Sequence, residues 1–207
     1  WQRGFERYFG FTVGATNFFT GESGGGNGKF TYFLDDEPYQ IPDNFYSTDA
    51  FTDYAIQFID ERKKDRPFFM YVAHNAPHYP LQAPKKDVMK YRGKYKEGWE
   101  KLREARFKRM KELKVIPADM PLSTPEEDVR SWSSLDEETR DRMDLIMATY
   151  AAMIDRVDQQ LGRLIQKLEN EKILDDTLIL FLSDNGACPF DRTKKETLEN
   201  NYMPWDE

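Results

Sequence analysis

Apolar residues in this chain follow two different rhythms. In residues 47 to 64, "STDAFTDYAIQFIDERKK", Phe51, Tyr54, Ala55, Phe58 and Ile59 recur at helical spacing. Ser47, Thr48 or Asp49 stands where a helix start is capped. A second stripe runs from Met143 through Ile146, Met147, Tyr150, Met153, Ile154, Val157, Leu161, Leu164 and Ile165 to Leu168. It predicts a helix of many turns, entered through a capping box of Ser134 and Glu137, with one face buried against a sheet. Two other runs have no polar interruptions. "PFFMYVA", residues 67 to 73, and Thr177 to Leu182 within "DDTLILFLSDNGA" are short, apolar and bounded by breakers. That is the pattern of strands covered on both faces inside a parallel sheet. Alternating helix and strand predicts an α/β fold. Long crossovers make the two strands parallel, with their carboxyl ends on one edge of the sheet.

The loops after those carboxyl ends carry the candidate chemistry. The chain has two histidines, His74 and His78, both within "AHNAPHYPLQAP", residues 73 to 84. A helical metal pair is excluded, because Pro77 and Pro80 push Ala76 and Tyr79 out of helical dihedrals. The histidines therefore sit on a stiffened loop just past a strand end, where open α/β sheets place ligands. After the second strand come Asp184, Asn185 and Gly186, so His78 and Asp184 can converge. A carboxylate and an amide are hard oxygen donors that suit Ca²⁺ or Mg²⁺ better than a soft metal, and a divalent ion there needs further acids.

Charge changes the picture in one place. The 207 residues carry a net charge of −7 and a pI near 5.1, which argues against nucleic acid as a partner. Yet residues 85 to 114 hold thirteen Lys and Arg against five Asp and Glu. This stretch predicts a solvated helix with Trp99, Leu102, Phe107, Met110 and Leu113 inward, and it can also serve as a collar drawing anions toward the histidine loop. The single cysteine, Cys188, excludes an internal disulfide, and apolar runs of strand length exclude a membrane span. "GESGGGNGKF", residues 21 to 30, reads as a connection and not as a phosphate cradle, since no G-K-[ST] ending follows. The ends, "WQRGFERYFGF" and "NNYMPWDE", look like cuts through a longer protein.

Taken in order, "GFERYFGFTVGATNFFTG", "AHNAPHYPLQAP", "KYRGKYKEGWEKLREARFKRMKEL" and "YAAMIDRVDQQLGRLIQKLENEKILDDTLILFLSDNGA" resemble the middle of arylsulfatase-type sulfatases over nearly the whole chain. The resemblance implies an alkaline-phosphatase-like three-layer α/β sandwich with a mostly parallel central sheet. Residues 1 to 207 would then be the middle part of a single catalytic domain, truncated at both ends. It implies hydrolysis of a sulfate ester by a formylglycine nucleophile beside Ca²⁺, with Mg²⁺ the lesser alternative. By motif match His78 would contact the sulfate, and Asp184 and Asn185 would ligate the metal. His74 falls at a position with no fixed family role. No C/S-x-P-x-R motif occurs, and Cys188 is followed by "PFDR", one place out of register. The formylglycine is therefore expected outside this chain, which alone should be inactive. A sulfated small molecule or glycan is the expected substrate, and a periplasmic or secreted location follows from the family. Two other readings stand beside this one. One is a phosphodiesterase or phosphonate hydrolase of the same superfamily, disfavoured by Asn185 where such relatives tend to carry histidine. The other is a non-catalytic module that binds anionic glycans through Lys85 to Lys114.

Overall fold

In a computed structural model, residues 4–22, 32–125, 127 and 129–186 are described. Three short antiparallel strands form a sheet of order β1-β2-β3: β1 (Phe9–Phe11), β2 (Tyr32–Leu34) and β3 (Glu37–Pro38). Phe9 pairs with Leu34 and Phe11 with Tyr32 across β1 and β2, and Leu34 pairs with Glu37 across β2 and β3. The sheet supports an aromatic core. Tyr32 is fully buried, and burial pushes its phenol up to about 12. Phe9 stacks on Tyr54 at 3.9 Å between ring centroids, so the sheet rests on the helix α1 (Ser47–Glu61).

A second core joins two further helices, α2 (Lys85–Tyr91) and α4 (Glu137–Asn170), to the segment that leads into α1. Its buried members are Phe18, Tyr46, Ala83, Val88, Ala148, Ala152 and Met153. Ala148 and Ala152 lie one turn apart, and their small side chains let α2 approach the α4 backbone. A further helix, α3 (Trp99–Glu112), buries none of its residues and stands off the core on the arm that runs to Ser134.

Four expectations are revised. The predicted caps of α1 lie inside its first turn. Tyr46 is the N-cap residue without a side-chain bond, because Ser47 Oγ is turned toward Asn75 and Asp49 is engaged by Arg156. The long helix α4 is capped by Asp136, which accepts from the Thr139 amide at 2.7 Å, while Ser134 closes a preceding 3₁₀ turn. The basic stretch forms two helices instead of one. Gly93 and Gly98 between them have φ of 87° and 90°, and a Cβ on Gly98 would lie 2.3 Å from the Trp132 ring. Finally, among the described residues α4 packs against α1 and α2 and not against a sheet; of its predicted stripe only Met153 and Leu168 are buried, and Met147 and Ile154 are exposed.

The largest difference concerns the two apolar runs. Neither residues 67–73 nor 177–182 joins a ladder among the described residues, so the mostly parallel central sheet is not part of what is described. In the first run Phe69 and Tyr71 are 79% and 74% exposed while Met70 and Val72 are half-buried, which is strand periodicity with one open face. In the second, Leu178 is 84% and Phe181 75% exposed. A strand covered on both faces needs a paired neighbour and a layer on each side, and the described residues supply neither.

Candidate active-site loop

The histidine loop is fixed at both ends. At its start, Ser47 Oγ lies 3.3 Å from Asn75 Oδ1 at the head of α1. At its tip the His78 amide donates to the Asn75 carbonyl at 2.7 Å, closing a tight turn, and the Ala76–Pro77 and Tyr79–Pro80 bonds are cis. At its end Gln82 and Ala83 are buried. The Gln82 carboxamide oxygen accepts from the Phe18 amide at 2.9 Å, and its backbone carbonyl accepts from the Tyr46 hydroxyl at 3.0 Å. Pro84 then leads into α2. The backbone is clamped into the core while the His78 side chain stays exposed.

The two histidines have opposite surroundings. His78 Nδ1 is hydrogen-bonded to the Tyr79 carbonyl. A carbonyl only accepts, so Nδ1 carries the proton, and Nε2 is the nitrogen left for a ligand. His74 packs edge-on against Phe51, 6.1 Å between centroids, and its Nδ1 is sealed from solvent without a hydrogen-bond partner. Burial holds its imidazole down at about 4 against a weaker upward pull from Asp49, so the ring is neutral at physiological pH. That suits a packing residue and not a proton donor.

Asp184 and Asn185 occupy an exposed bend after the second apolar run, where Ser183 Oγ donates to the Asn185 carbonyl at 2.6 Å. Both side chains offer oxygen donors to solvent, which fits part of a Ca²⁺ shell. Two residues do not complete a shell of six to eight oxygens. No cluster of three or more His, Cys, Asp or Glu is placed to hold a metal among the described residues. Nor does any hydrogen bond, ion pair or ring contact link His78 to Asp184 or Asn185 there. Cys188 lies outside the described residues.

Sequence patterning missed a buried ionic network behind the loop. Arg156 of α4 grips Asp49 of α1 with Nε and Nη2, the Nε bond being 2.7 Å. Gln160 donates to the same carboxylate at 2.8 Å. Asp87 of α2, fully buried, lies 2.7 Å from Lys90 Nζ and 3.5 Å from Arg156 Nη1. A further buried carboxylate, Asp144, takes the Gly93 and Tyr95 amides at 2.8 and 2.9 Å and pairs with Arg92. Its acids come from three helices, Asp49 from α1, Asp87 from α2 and Asp144 from α4, and apolar counting within any one helix passes over them. These pairs also consume part of the expected cationic collar, since Lys90, Arg92 and Lys96 all face α4 acids.

Comparison with known proteins decides the family to which this loop and network belong. The profile of the family described as Sulfatase matches residues 2–206. The chain belongs to the sulfatase family. It is 36% identical over 190 residues to an arylsulfatase of Klebsiella aerogenes, covering 90% of this chain and 41% of that protein. It is 35% identical over 195 residues to an uncharacterized sulfatase of Schizosaccharomyces pombe, covering 90% of this chain and 35% of that protein. A multifunctional alkaline phosphatase superfamily protein of Trinickia caryophylli is 25% identical over 174 residues, covering 73% of this chain and 29% of the relative. This sulfatase chain thus spans about two-fifths or less of the length of these curated relatives. Among the described residues, no helix is long and apolar enough to cross a membrane.

Proposed function

We propose that this chain is the middle of a sulfatase catalytic domain and that it contributes His78, Asp184 and Asn185 to the hydrolysis of a sulfate ester. The observation that carries the proposal is the clamped loop with exposed His78, set directly after an apolar run of strand periodicity in a chain that matches the sulfatase family from end to end. In this reading, residues 67–73 and 177–182 are strands of the parallel central sheet of an alkaline-phosphatase-like sandwich, ordered there by strands from the rest of the domain. That arrangement sets His78 and Asp184 at neighbouring strand ends.

Asp184 and Asn185 would supply two oxygens to Ca²⁺. When present, that ion would polarise the sulfuryl oxygens while a formylglycine hydrate from outside this chain supplies the attacking oxygen. His78 acts through Nε2, because Nδ1 is committed to the Tyr79 carbonyl. Nε2 donates to a sulfate oxygen only when the ring is doubly protonated, and the cation then adds charge stabilisation where negative charge builds. Pro77, Pro80 and the buried Gln82 keep that ring from wandering, which holds the reacting geometry without a cost at the moment of reaction.

The substrate is a sulfated small molecule or glycan, and the location is periplasmic or secreted. A phosphodiester or phosphonate substrate is the second reading, favoured by the likeness to the multifunctional superfamily protein and opposed by an amide at Asn185 where a transition-metal centre prefers imidazole. Parallel assays of the native gene product on an aryl sulfate and an aryl phosphodiester separate the two. Sulfate hydrolysis that responds to Ca²⁺ is expected, and a larger kcat/KM on the phosphodiester would overturn the sulfatase reading.

A further inference from the structure

The groove between α3 and residues 120–123 has a composition that neither the core nor the candidate active site uses. Arg103, Arg106, Phe107 and Met110 form one wall, following i, i+3, i+4, i+7 along a single helix face, and Met120 and Leu122 stand opposite. Its volume is about 270 Å³, near the lower end of the ~300–1,000 Å³ typical of small-molecule clefts. Arg103 is held in place by donating to the Ser123 carbonyl and, at 2.7 Å, to its hydroxyl. Arg106 is exposed and has no acidic partner among the described residues. Among the described residues, no carboxylate lines the groove.

Several neighbouring cations already have partners: Lys90 and Arg92 on acids of α2 and α4, Arg109 on Glu112, and Lys111 over the Phe107 ring at 4.6 Å. Arg106 remains, beside an Arg103 anchored on Ser123, and the apolar side chains of Phe107, Met110 and Leu122 line the groove with them. Guanidinium forks match tetrahedral oxyanions in bidentate fashion, whereas a purely electrostatic surface needs no apolar floor. An apolar floor suits the C–H face of a sugar ring. The protein's net charge of −7 disfavours an extended nucleic-acid footprint.

We propose that this groove is a binding site for a sulfated sugar unit of a glycan chain, with Arg103 and Arg106 on the sulfate and Phe107, Met110 and Leu122 beneath the ring. The choice of sulfate over other anions rests on the sulfatase reading; the site itself does not need His78, Asp184 or Asn185. It would hold a polymeric substrate on the basic arm independently of the chemistry.

The test measures binding of a fluorescent heparin tetrasaccharide to the purified protein, with the desulfated tetrasaccharide and a single-stranded oligonucleotide of equal charge as controls. Arg106→Glu and Phe107→Ala are compared with the wild type after circular dichroism shows each is folded. Saturable binding is expected, weakened about tenfold or more by Arg106→Glu and several-fold by Phe107→Ala, with little uptake of either control. Hydrolysis of a small aryl sulfate by the native gene product should be unchanged by both substitutions. Wild-type affinity in Arg106→Glu, or an oligonucleotide bound as tightly as the heparin fragment, would overturn the proposal. If hydrolysis is absent while the Arg106-dependent binding persists, the groove stands and the catalytic reading fails.

Discussion

His74 shows what a buried group does to the pH dependence of this protein. Its imidazole titrates near 6.5 when the chain is unfolded and at about 4 when folded. Between those values the unfolded state binds more protons, so the contribution is complete above pH 6.5 and is lost as pH falls toward 4. On the order of 3 kcal/mol is lost across that window. Urea denaturation at about pH 7 and about pH 5 should therefore show a smaller acid loss in His74→Phe than in the wild type; an equal loss would mean that His74 is not the titrating group. Arg156 is a second decisive residue. Arg156→Met leaves Asp49 and the fully buried Asp87 with fewer cationic partners, and thermal unfolding should register a loss of about 3 kcal/mol. Adding Asp49→Asn should recover part of that loss. Sequence reading nominated His78 and Asp184 from their place just after two apolar runs, but it missed Asp49, Asp87, Asp144 and Arg156. Their role depends on which helix faces which, and no local pattern encodes that.

At the scale of elements, periodicity located the helices, and context adjusted their ends and buried faces. The length of α4 was legible but its buried face was not: that face includes Asp144, Thr149 and Gln160 and only Met153 and Leu168 of the predicted stripe, in part because α1 brings Asp49 to Gln160. The division of the basic stretch into α2 and α3 depends on Gly98, whose φ of 90° and proximity to Trp132 leave no room for a side chain. Gly98→Ala combines left-handed strain with a clash, and should cost about 1–3 kcal/mol in denaturation experiments or detach the arm carrying α3. A change smaller than a few tenths would show that the Gly98–Trp132 approach is not a structural constraint. The two apolar runs mark where local pattern and described structure part. Their composition is that of covered strands, while Phe69, Tyr71, Leu178 and Phe181 lie open to solvent. Burial of a strand depends on neighbours from elsewhere in a fold, so composition reports the demand for a cover and cannot supply it.

For the whole molecule, the uncovered apolar surface belongs to a chain that spans about two-fifths or less of the length of its sulfatase relatives, and the proposed function assigns the missing cover to the rest of such a domain. Exposed large apolar patches mark interaction surfaces or aggregation liabilities. The isolated 207-residue chain should accordingly bind a hydrophobic dye and self-associate, and Phe69→Ser with Leu180→Ser should reduce both without lowering its thermal midpoint. A monomeric chain with no dye binding would contradict the open-strand description. The proposed function requires those two runs to be covered and His78, Asp184 and Asn185 to face one substrate. The decisive measurement is kcat/KM for an aryl sulfate in the native gene product and its His78→Ala and Asp184→Ala variants, each shown to be folded. A loss of about a hundredfold or more is expected in each, the size seen when one preorganised electrostatic contact to a transition state is removed. Wild-type turnover in either variant would contradict the assignment of that residue to the active site.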